Sequence, residues 1–275
     1  MKKLLITGGN GQLAQSFSSL FNSKFQIQSL GRHQLDITKK NEVELIKDQF
    51  QPDIILNCAA YTDVDGSENN FQTANRVNAE AINNLLANFN GIFIHISTDY
   101  IFNGKNGPYK EDDCADPINK YGLSKLNGEK IAQSLSNNLF IIRANVIFDI
   151  NFKSSFLDWI INSLKQNKSI PVVNDQVGNP IWSEDLCKII YKLITNEKPG
   201  VYHAGTDKLI SRYKFAQMIA DEWELSKKLI YPITTSQLME KIEGYVAPRP
   251  LNSGLIVNEK ISPISLKESL KKIRK

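Results

Sequence analysis

The first half of this 275-residue chain alternates short apolar runs with segments of helical periodicity, and this rhythm constrains the fold most. The runs are nearly continuously apolar, which is typical of strands covered on both faces. Alternation of strands and helices at this spacing predicts βαβ units, and therefore an α/β fold with a Rossmann-like, doubly wound parallel sheet. The predicted strands are residues 4–7, 25–30, 53–60, 92–98 and 139–148, with helices between them that include 41–50 and 71–89.

The rhythm changes after about residue 150, where helical patterns dominate. Helices are expected at 155–166, 184–195 and 213–224, with short strands near 171–173 and 201–203. We therefore expect residues 1–150 to form the first domain, with 176–206 returning to it. Residues 151–275 are expected to form mainly a smaller, mostly helical lobe.

Composition and cysteine usage narrow the class of protein. The chain is 41% hydrophobic and 23% charged with a net charge of +4, which is typical of a globular protein. Three scattered cysteines without a CxxC pair argue against a disulfide framework and a metal site. No apolar run approaches the roughly 18 residues of a membrane span, and the basic tail at 267–275 has no accompanying aromatic residues. We expect a cytoplasmic protein that binds neither nucleic acid nor membranes.

A glycine-rich turn follows the first predicted strand. Gly8 allows a tight turn, Gly11 permits close approach of a pyrophosphate, and the small Ala14 lets a helix pack on the strand. The pyrophosphate would then lie at the positive end of that helix. Because the turn opens a predicted parallel sheet, it indicates a dinucleotide site.

The end of the second strand bears on cofactor choice. It carries Arg32 instead of an acid, and an arginine can pair with the 2′-phosphate of NADP. Asp36, a few residues later, is placed to reach the adenine end. The pattern favours NADPH; if Arg32 is only a solvated surface residue, NADH remains possible.

A tyrosine–lysine pair indicates the chemistry. Tyr121 and Lys125 are four residues apart on one face of a predicted helix, and Thr98 ends the fourth strand, where ligands bind in open α/β sheets. Reducing a ketone needs a proton for the oxygen. We expect Tyr121 to be the acid, with Lys125 lowering its pKa and holding the ribose, and Thr98 to polarise the carbonyl.

In this order, these motifs resemble the extended short-chain dehydrogenase/reductase family, and within it the dTDP-4-dehydrorhamnose reductase group. The resemblance spans nearly the whole chain, and Ala59-Ala60-Tyr61-Thr62 and Asn174-Asp175-Gln176 are its most specific blocks. The resembling segments are residues 7–13, 35–38, 57–65, 97–102, 121–129, 174–180 and 249–250.

The resemblance implies that residues 1–150 bind NADP and that the lobe binds a nucleotide sugar. The implied cofactor residues are Gly8, Gly11, Gln12, Leu13, Arg32, Asp36, Ile37, Ala59, Ala60, Tyr61, Thr62, Asn78, Tyr121 and Lys125. The implied substrate residues are Val64, Thr98, Asp99, Tyr100 and Arg249. Arg249 is a candidate for a diphosphate contact or, alternatively, a solvated loop residue.

One departure bears on the substrate and one on a metal. The group usually has Arg-Thr-Ser-Trp after the fifth strand, and this chain has Arg143-Ala144-Asn145-Val146, so a tryptophan that would pack on the sugar is missing. Some members form dimers through a carboxylate-bound magnesium, but residues 12–20 contain no Glu, so no metal is expected. A monomer and a homodimer both remain open.

Three functions are considered. The first is reduction of a nucleotide-linked 4-keto-6-deoxy sugar by NADPH, with dTDP-4-dehydrorhamnose, reduced to dTDP-L-rhamnose, as the favoured substrate. The second is a sugar-nucleotide epimerase of the same superfamily, and the third a non-catalytic, nucleotide-binding regulatory subunit. Arg32 and the Asn-Asp-Gln block favour the reductase over the epimerase, and the retained Tyr–Lys pair disfavours the regulatory subunit.

Several aromatic residues have open roles. Helical patterns predict Trp159 and Trp223 in the core, and His95 is expected to be a buried core residue. Trp182 follows Pro180 in a predicted loop, where it could stack on a base or a sugar.

Overall fold

A seven-stranded parallel sheet forms the centre of the molecule. The structure is a computed structural model that describes residues 1–150, 152, 155–241, 246–257 and 264–275. Its sheet contains β1 (Lys3–Thr7), β2 (Gln26–Leu30), β3 (Ile54–Asn57), β4 (Ile92–Thr98) and β5 (Leu139–Phe148) in the order β2-β1-β3-β4-β5. The predicted fold class is confirmed.

Strands from the second half complete the sheet and build the lobe. They are β6 (Ile170–Val173), β7 (Val177–Gly178), β8 (Pro180–Trp182), β9 (Gly200–Ala204), β10 (Ile210–Ser211) and β11 (Ile230–Ile233). β9 pairs with the first half of β5 and β8 with its second half, both in parallel. β6 pairs with β11, and β7 with β10, outside the main sheet. The domain boundaries derived from the sequence stay a prediction.

The chain order of the sheet reverses beside β1. After β1 the chain moves outward to β2 and then returns to the opposite side of β1 as β3. A crevice at the carboxyl ends of the strands forms at such a switch point, and ligands of open α/β sheets bind there. The glycine turn after β1 and the loop after β3 therefore border the same crevice.

The helices lie around the sheet and in the lobe. They are α1 (Gln12–Phe21), α2 (Lys40–Phe50), α3 (Val64–Asn69), α4 (Phe71–Asn75), α5 (Ala81–Leu86), α6 (Lys120–Leu135), α7 (Phe156–Lys165), α8 (Ser183–Asn196), α9 (Arg212–Glu222), α10 (Thr235–Lys241) and α11 (Leu266–Arg274). Within the described residues, no helix has the length and apolar character needed to cross a membrane.

Apolar cores cover both faces of the sheet. On one face, Phe17 of α1 and Leu186 of α8 pack against β1, β3 and β5. On the other, Leu85 of α5 packs against buried residues of β1, β3 and β4. Burial on both faces explains why the strand sequences are almost continuously apolar.

A further apolar cluster builds the lobe. Phe215 of α9 packs with Phe148 at the end of β5 and with buried residues of α7. Leu270 of α11 is buried in the same cluster, so the basic tail forms a helix with one apolar face on the lobe.

Two predicted elements differ from the structure. The predicted helix at 71–89 ends at Leu86 and is interrupted by a π-helical turn, Arg76–Glu80. The strand predicted at 53–60 ends at Asn57. The residues after Asn57 are also apolar or small, and they form a loop beside the glycine turn, so periodicity alone does not separate them from a strand.

Candidate active site

The glycine turn brings the main chain of β1 against the loop after β3. Gly8 has φ +69°, and a Cβ at this position would lie 2.7 Å from the main-chain nitrogen of Ala59. Gly11 is the N-cap of α1, where no side chain caps the helix. The first turn of α1 thus presents its amide groups at the crevice without a side-chain cap, as pyrophosphate binding requires.

Gln12 and Leu13 begin this helix in different environments. The Leu13 side chain is buried in the core, so only its main chain is left for a contact with the cofactor. Gln12 donates from Nε2 to the carbonyl of Ile147 at 2.9 Å. Its Oε1 is buried and accepts no hydrogen bond within the described part of the chain.

The loop after β3 is held by Asn78, which lies in the π-helical turn. Asn78 Oδ1 accepts from the amide of Tyr61 at 2.7 Å, and Nδ2 donates to the carbonyl of Tyr61 at 3.0 Å and to Ser124 Oγ at 2.9 Å. Ala59 and Ala60 are half-buried in this loop and Thr62 is exposed. Asn78 therefore joins the loop to α6; π-turns are common at functional sites.

After the end of β2, Asp36 interacts with Thr38 and with the charge of Arg32. Burial raises the pKa of Asp36, but hydrogen bonds from Thr38, and then the charges of Arg32 and Lys39, lower it below its usual value. Arg32 is exposed. Asp36 Oδ1 accepts from both the amide and the hydroxyl of Thr38. Ile37 is buried in the core, and its carbonyl accepts from Asn84. Arg32 is thus open to a ligand, whereas the Asp36 carboxylate already shapes its own turn.

Helix α6 carries Tyr121 and Lys125 and is held against the sheet by contacts with β4 and β5. Glu129 of α6 forms a buried ion pair with Arg143 of β5 at 2.8 Å and accepts from Ser97 of β4. At the start of α6, Asn119 Oδ1 accepts from the amide of Gly122 at 2.7 Å. A Cβ at Gly122 would collide with the carbonyl of Tyr100, so glycine permits α6 to approach the end of β4.

Lys125 is buried and turned toward the sheet. Its Nζ donates to the carbonyl of Ile96 in β4 at 2.6 Å. Burial lowers the pKa of Lys125 to about 8, although Glu129 and then Cys58 favour its charged form. Near neutral pH the side chain is therefore mainly an ammonium group in a fixed position.

The pKa of Tyr121 differs from the sequence expectation. Burial, reinforced by the charges of Asp99 and Tyr100, raises the pKa of Tyr121 above its usual value, and a hydrogen bond with Thr98 only partly opposes this. Burial disfavours the phenolate, and the nearby Asp99 carboxylate adds repulsion. Lys125 is not among the groups that set this direction, and its role in favouring the phenolate stays a prediction. Tyr121 is consequently a protonated phenol at neutral pH.

The buried Asp99 carboxylate accepts hydrogen bonds from three side chains. It accepts from Asn145 and Ser253, and Oδ1 also accepts from Thr98 Oγ1 at 3.2 Å. Burial raises the pKa of Asp99, and Ser253, the charge of Arg212, Asn145 and Thr98 oppose this in that order. The side chain is thus placed to orient Thr98. Direct contact with a sugar stays a prediction.

Two cavities that share Tyr100, Gln176 and Arg212 in their linings lie beyond the carboxyl ends of β4 and β5. The inner cavity is the smaller and is lined by Tyr100, Asn145, Val146 and Ser253 among others. The larger outer cleft includes Tyr100 and Arg249. Tyr100 borders both spaces and lies edge-on to Tyr121, with ring centroids 5.9 Å apart.

Two predicted substrate residues lie near the outer cleft. Arg249 donates to Asp65 Oδ2 at 2.9 Å and to the carbonyl of Ala247, so it is ion-paired and not simply solvated. Val64, half-buried, begins α3 next to Asp65.

Val146 stands where a bulge interrupts β5. The pairing of β5 with β8 shifts between Asn145 and Ile147, and Val146 has φ +35°. This conformation is an outlier for a β-branched residue, and bulges often occur beside active sites. The bulge places Asn145 and Val146 on the wall of the inner cavity.

The tryptophan predictions are partly wrong. Trp159 of α7 was expected in the core, but it is 41% exposed and lines the outer cleft. Trp182 was expected in a loop, but it lies in β8, is buried in the lobe and donates to Asp149 Oδ1. Trp159 is therefore available to pack on a ligand, whereas Trp182 is not. His95 is buried, as predicted.

Sequence reasoning missed three residues of the site. Asn145 and Ser253 hold Asp99, and Arg212 borders both cavities. No local motif marks them, because each reaches the site from a different element of the fold. Among the described residues, no three His, Cys, Asp or Glu side chains cluster as a metal site would require.

A crevice at a switch point, a glycine turn, and Thr98, Tyr121 and Lys125 beside it define an oxidoreductase of the extended short-chain dehydrogenase/reductase type. A family model described as "RmlD substrate binding domain" matches residues 1–270, and the chain belongs to this family.

Individual proteins that are similar to this chain support the family assignment. The chain is 35% identical over 296 residues to a dTDP-4-dehydrorhamnose reductase of Aggregatibacter actinomycetemcomitans, covering 100% of this chain and 99% of that protein. It is 32% identical to a spore coat polysaccharide biosynthesis protein of Bacillus subtilis, covering 93% and 89%. Its fold matches a dTDP-4-dehydrorhamnose reductase of Bacillus anthracis in complex with NADP, with TM-score 0.93, 31% identity, and coverage of 100% and 99%.

Proposed function

We propose that this protein reduces dTDP-4-dehydrorhamnose to dTDP-L-rhamnose with NADPH. The observation that carries the proposal is the position of Tyr121, hydrogen-bonded with Thr98 at the carboxyl end of β4 and edge-on to Tyr100, which lines the inner cavity. The family and the names of its similar members support the choice of reaction.

The residues of the crevice fit NADPH. Gly8 leaves no room for a side chain, and the uncapped N-terminus of α1 suits the pyrophosphate. The buried Gln12 Oε1 lacks a hydrogen bond within the described residues and can accept one from a hydroxyl group. Arg32 is open to pair with the 2′-phosphate, and Ala59, Ala60, Tyr61 and Thr62 would line the opposite wall. When bound, the nicotinamide supplies the hydride for the carbonyl carbon.

Tyr121 performs the proton transfer. As the carbonyl oxygen gains negative charge, the phenol donates its proton to it. The Thr98 hydroxyl, which donates to Asp99 in the structure, turns to donate a hydrogen bond to the same oxygen. The C–O double bond becomes a C–OH group, and the phenolate then regains a proton from solvent. Tyr121 is protonated at neutral pH before the step, so its proton is available in the direction of reduction.

Lys125 stabilises the charge that this transfer leaves behind. Its buried ammonium is fixed by the Ile96 carbonyl, and it would bind the ribose hydroxyls of the cofactor. The charge of the ammonium favours the phenolate as it forms. Val64, Asp99 and Tyr100 would border the sugar, and Arg249 would lie toward the nucleotide.

Turnover with a panel of substrates tests this function. NADPH oxidation is followed with dTDP-, UDP- and GDP-linked 4-keto-6-deoxy sugars. We expect one 4-hydroxy product, a nucleotide-linked 6-deoxy sugar, for each NADPH consumed, with preference for dTDP-4-dehydrorhamnose. An epimerase would change sugar configuration without net NADPH consumption, and a regulatory subunit would do neither; either result would contradict the proposal.

Tyr121→Phe tests the acid. General acid catalysis contributes roughly 10²–10⁴-fold, so kcat should fall by about that factor with little change in NADPH affinity. Tyr191→Phe is the matched control, because Tyr191 stacks on Phe21 at the far end of α1, and it should keep parent activity. A folded Tyr121→Phe enzyme within about threefold of the parent would remove Tyr121 as the acid.

A further inference from the structure

Arg212 lies at the junction of the two cavities. Tyr100, Gln176 and Arg212 line both the inner cavity and the outer cleft. The inner cavity adjoins the catalytic end of β4 through Tyr100. The outer cleft is larger and contains the exposed ring of Trp159. In a nucleotide sugar, the group between the sugar and the nucleoside is the diphosphate.

The backbone and an aromatic ring hold Arg212 in this position. Its amide donates to the carbonyl of Gln176 at 3.0 Å, and the preceding Ser211 caps α9 by accepting from the amide of Lys214. The guanidinium lies 5.5 Å from the ring centroid of Phe156. An arginine stacked on a ring loses little further freedom when it binds a ligand.

Among the described residues, no acidic side chain pairs directly with Arg212. Arg249, the other arginine of the outer cleft, is paired with Asp65 at 2.9 Å. The guanidinium of Arg212 makes neither an ion pair nor a hydrogen bond with the described part of the chain. Its charge acts on Asp99, whose carboxylate is already held by Asn145 and Ser253.

We propose that Arg212 binds the diphosphate of the nucleotide sugar and thereby directs the sugar toward Tyr100 and the carboxyl end of β4. The inference rests on the proposed function for the class of substrate. The planar fork of an arginine matches phosphate oxygens, and a partly buried position strengthens the contact. Arg249 contributes less, because Asp65 already neutralises it.

Binding of dTDP, dTMP and thymidine to the full chain with NADP present tests this role without requiring turnover. Hydrogen bonds to charged groups contribute enough that R212A should weaken dTDP binding about 10- to 100-fold. Thymidine affinity and NADPH affinity should stay within about twofold, because neither contact involves Arg212. R212K keeps the charge but lacks the fork, so its loss should be intermediate, and R249A should lose less than R212A.

Lys214→Ala is the matched control, because Lys214 is an exposed cation on the same helix. It should bind dTDP as the parent does. The inference is overturned if R212A, folded by circular dichroism, binds dTDP within about twofold of the parent, or loses thymidine and dTDP affinity equally. If R212A gives either result and the parent enzyme reduces dTDP-4-dehydrorhamnose, only the role of Arg212 is wrong. If the parent enzyme neither binds dTDP nor reduces this substrate, the proposed function is wrong as well.

Discussion

Asn78 should have a measurable effect on both stability and cofactor binding. Its side chain makes three hydrogen bonds, two to the main chain of Tyr61 and one to Ser124 of α6. Asn78→Ala removes all three and leaves the Tyr61 amide and carbonyl without these partners. Because the same loop carries Ala59–Thr62, its position relative to the glycine turn should change.

The magnitude follows from these contacts. Each hydrogen bond contributes about 0.5–1.5 kcal/mol net, so three of them give a loss of about 3 kcal/mol in the free energy of unfolding. Displacement of the loop should also weaken NADPH binding by about tenfold or more, which corresponds to at least about 1.4 kcal/mol. Asn83→Ala is the matched control, because the exposed Asn83 side chain makes one hydrogen bond, to the carbonyl of Glu80 in the preceding turn.

Urea denaturation followed by circular dichroism gives the stability, and NADPH fluorescence titration gives the affinity. Asn83→Ala should change the free energy of unfolding by less than about 1 kcal/mol and leave NADPH affinity unchanged. The reasoning is refuted if Asn78→Ala loses less than about 1 kcal/mol. A loss of stability with unchanged NADPH affinity would refute the positioning role alone.

Three further outcomes are expected. Arg32→Ala should weaken NADPH about tenfold and leave NADH unchanged, because only NADPH has the 2′-phosphate; equal weakening of both in binding titrations would exclude this role. Burial lowers the pKa of Lys125 to about 8, so its ammonium group loses its proton as the pH rises through that value. The value of kcat/KM for NADPH should therefore decline above about pH 8. If a Lys125→Ala enzyme showed the same decline, the decline would belong to another group. Trp159→Ala should raise KM for the nucleotide sugar about two- to tenfold by loss of stacking, whereas Trp223→Ala should chiefly lower the melting temperature; an unchanged KM for Trp159→Ala would remove Trp159 from the site.

The strand pattern of the first half could be read from the sequence. Strands that are buried on both faces must be apolar at nearly every position, so β4 and β5 coincide with their predictions at both ends. The strand at 53–60 was predicted too long because Cys58, Ala59 and Ala60 are equally small or apolar. These residues form the start of the loop after β3 instead, with Cys58 packed on the core and Ala59 beside Gly8, and local sequence does not distinguish this loop from a strand.

Side-chain environments were less predictable. Helical periodicity showed that α7 has an apolar face, but not that Trp159 lies at its edge, open to the cleft. Trp182 follows a proline and looks like a loop residue, yet β8 joins β5 and buries it. Each outcome depends on which distant element covers the residue.

What the sequence by itself determined was the α/β class, the order of the strands along the chain, the glycine turn and the spacing of Tyr121 and Lys125, because these depend on neighbours in the chain. Only the tertiary structure decided the direction of the Tyr121 pKa and the position of Arg212 between two cavities. Burial and charge act through space, and the groups responsible come from α6, β4, β5 and α9. Their distances are set by packing, which no local pattern of residues records.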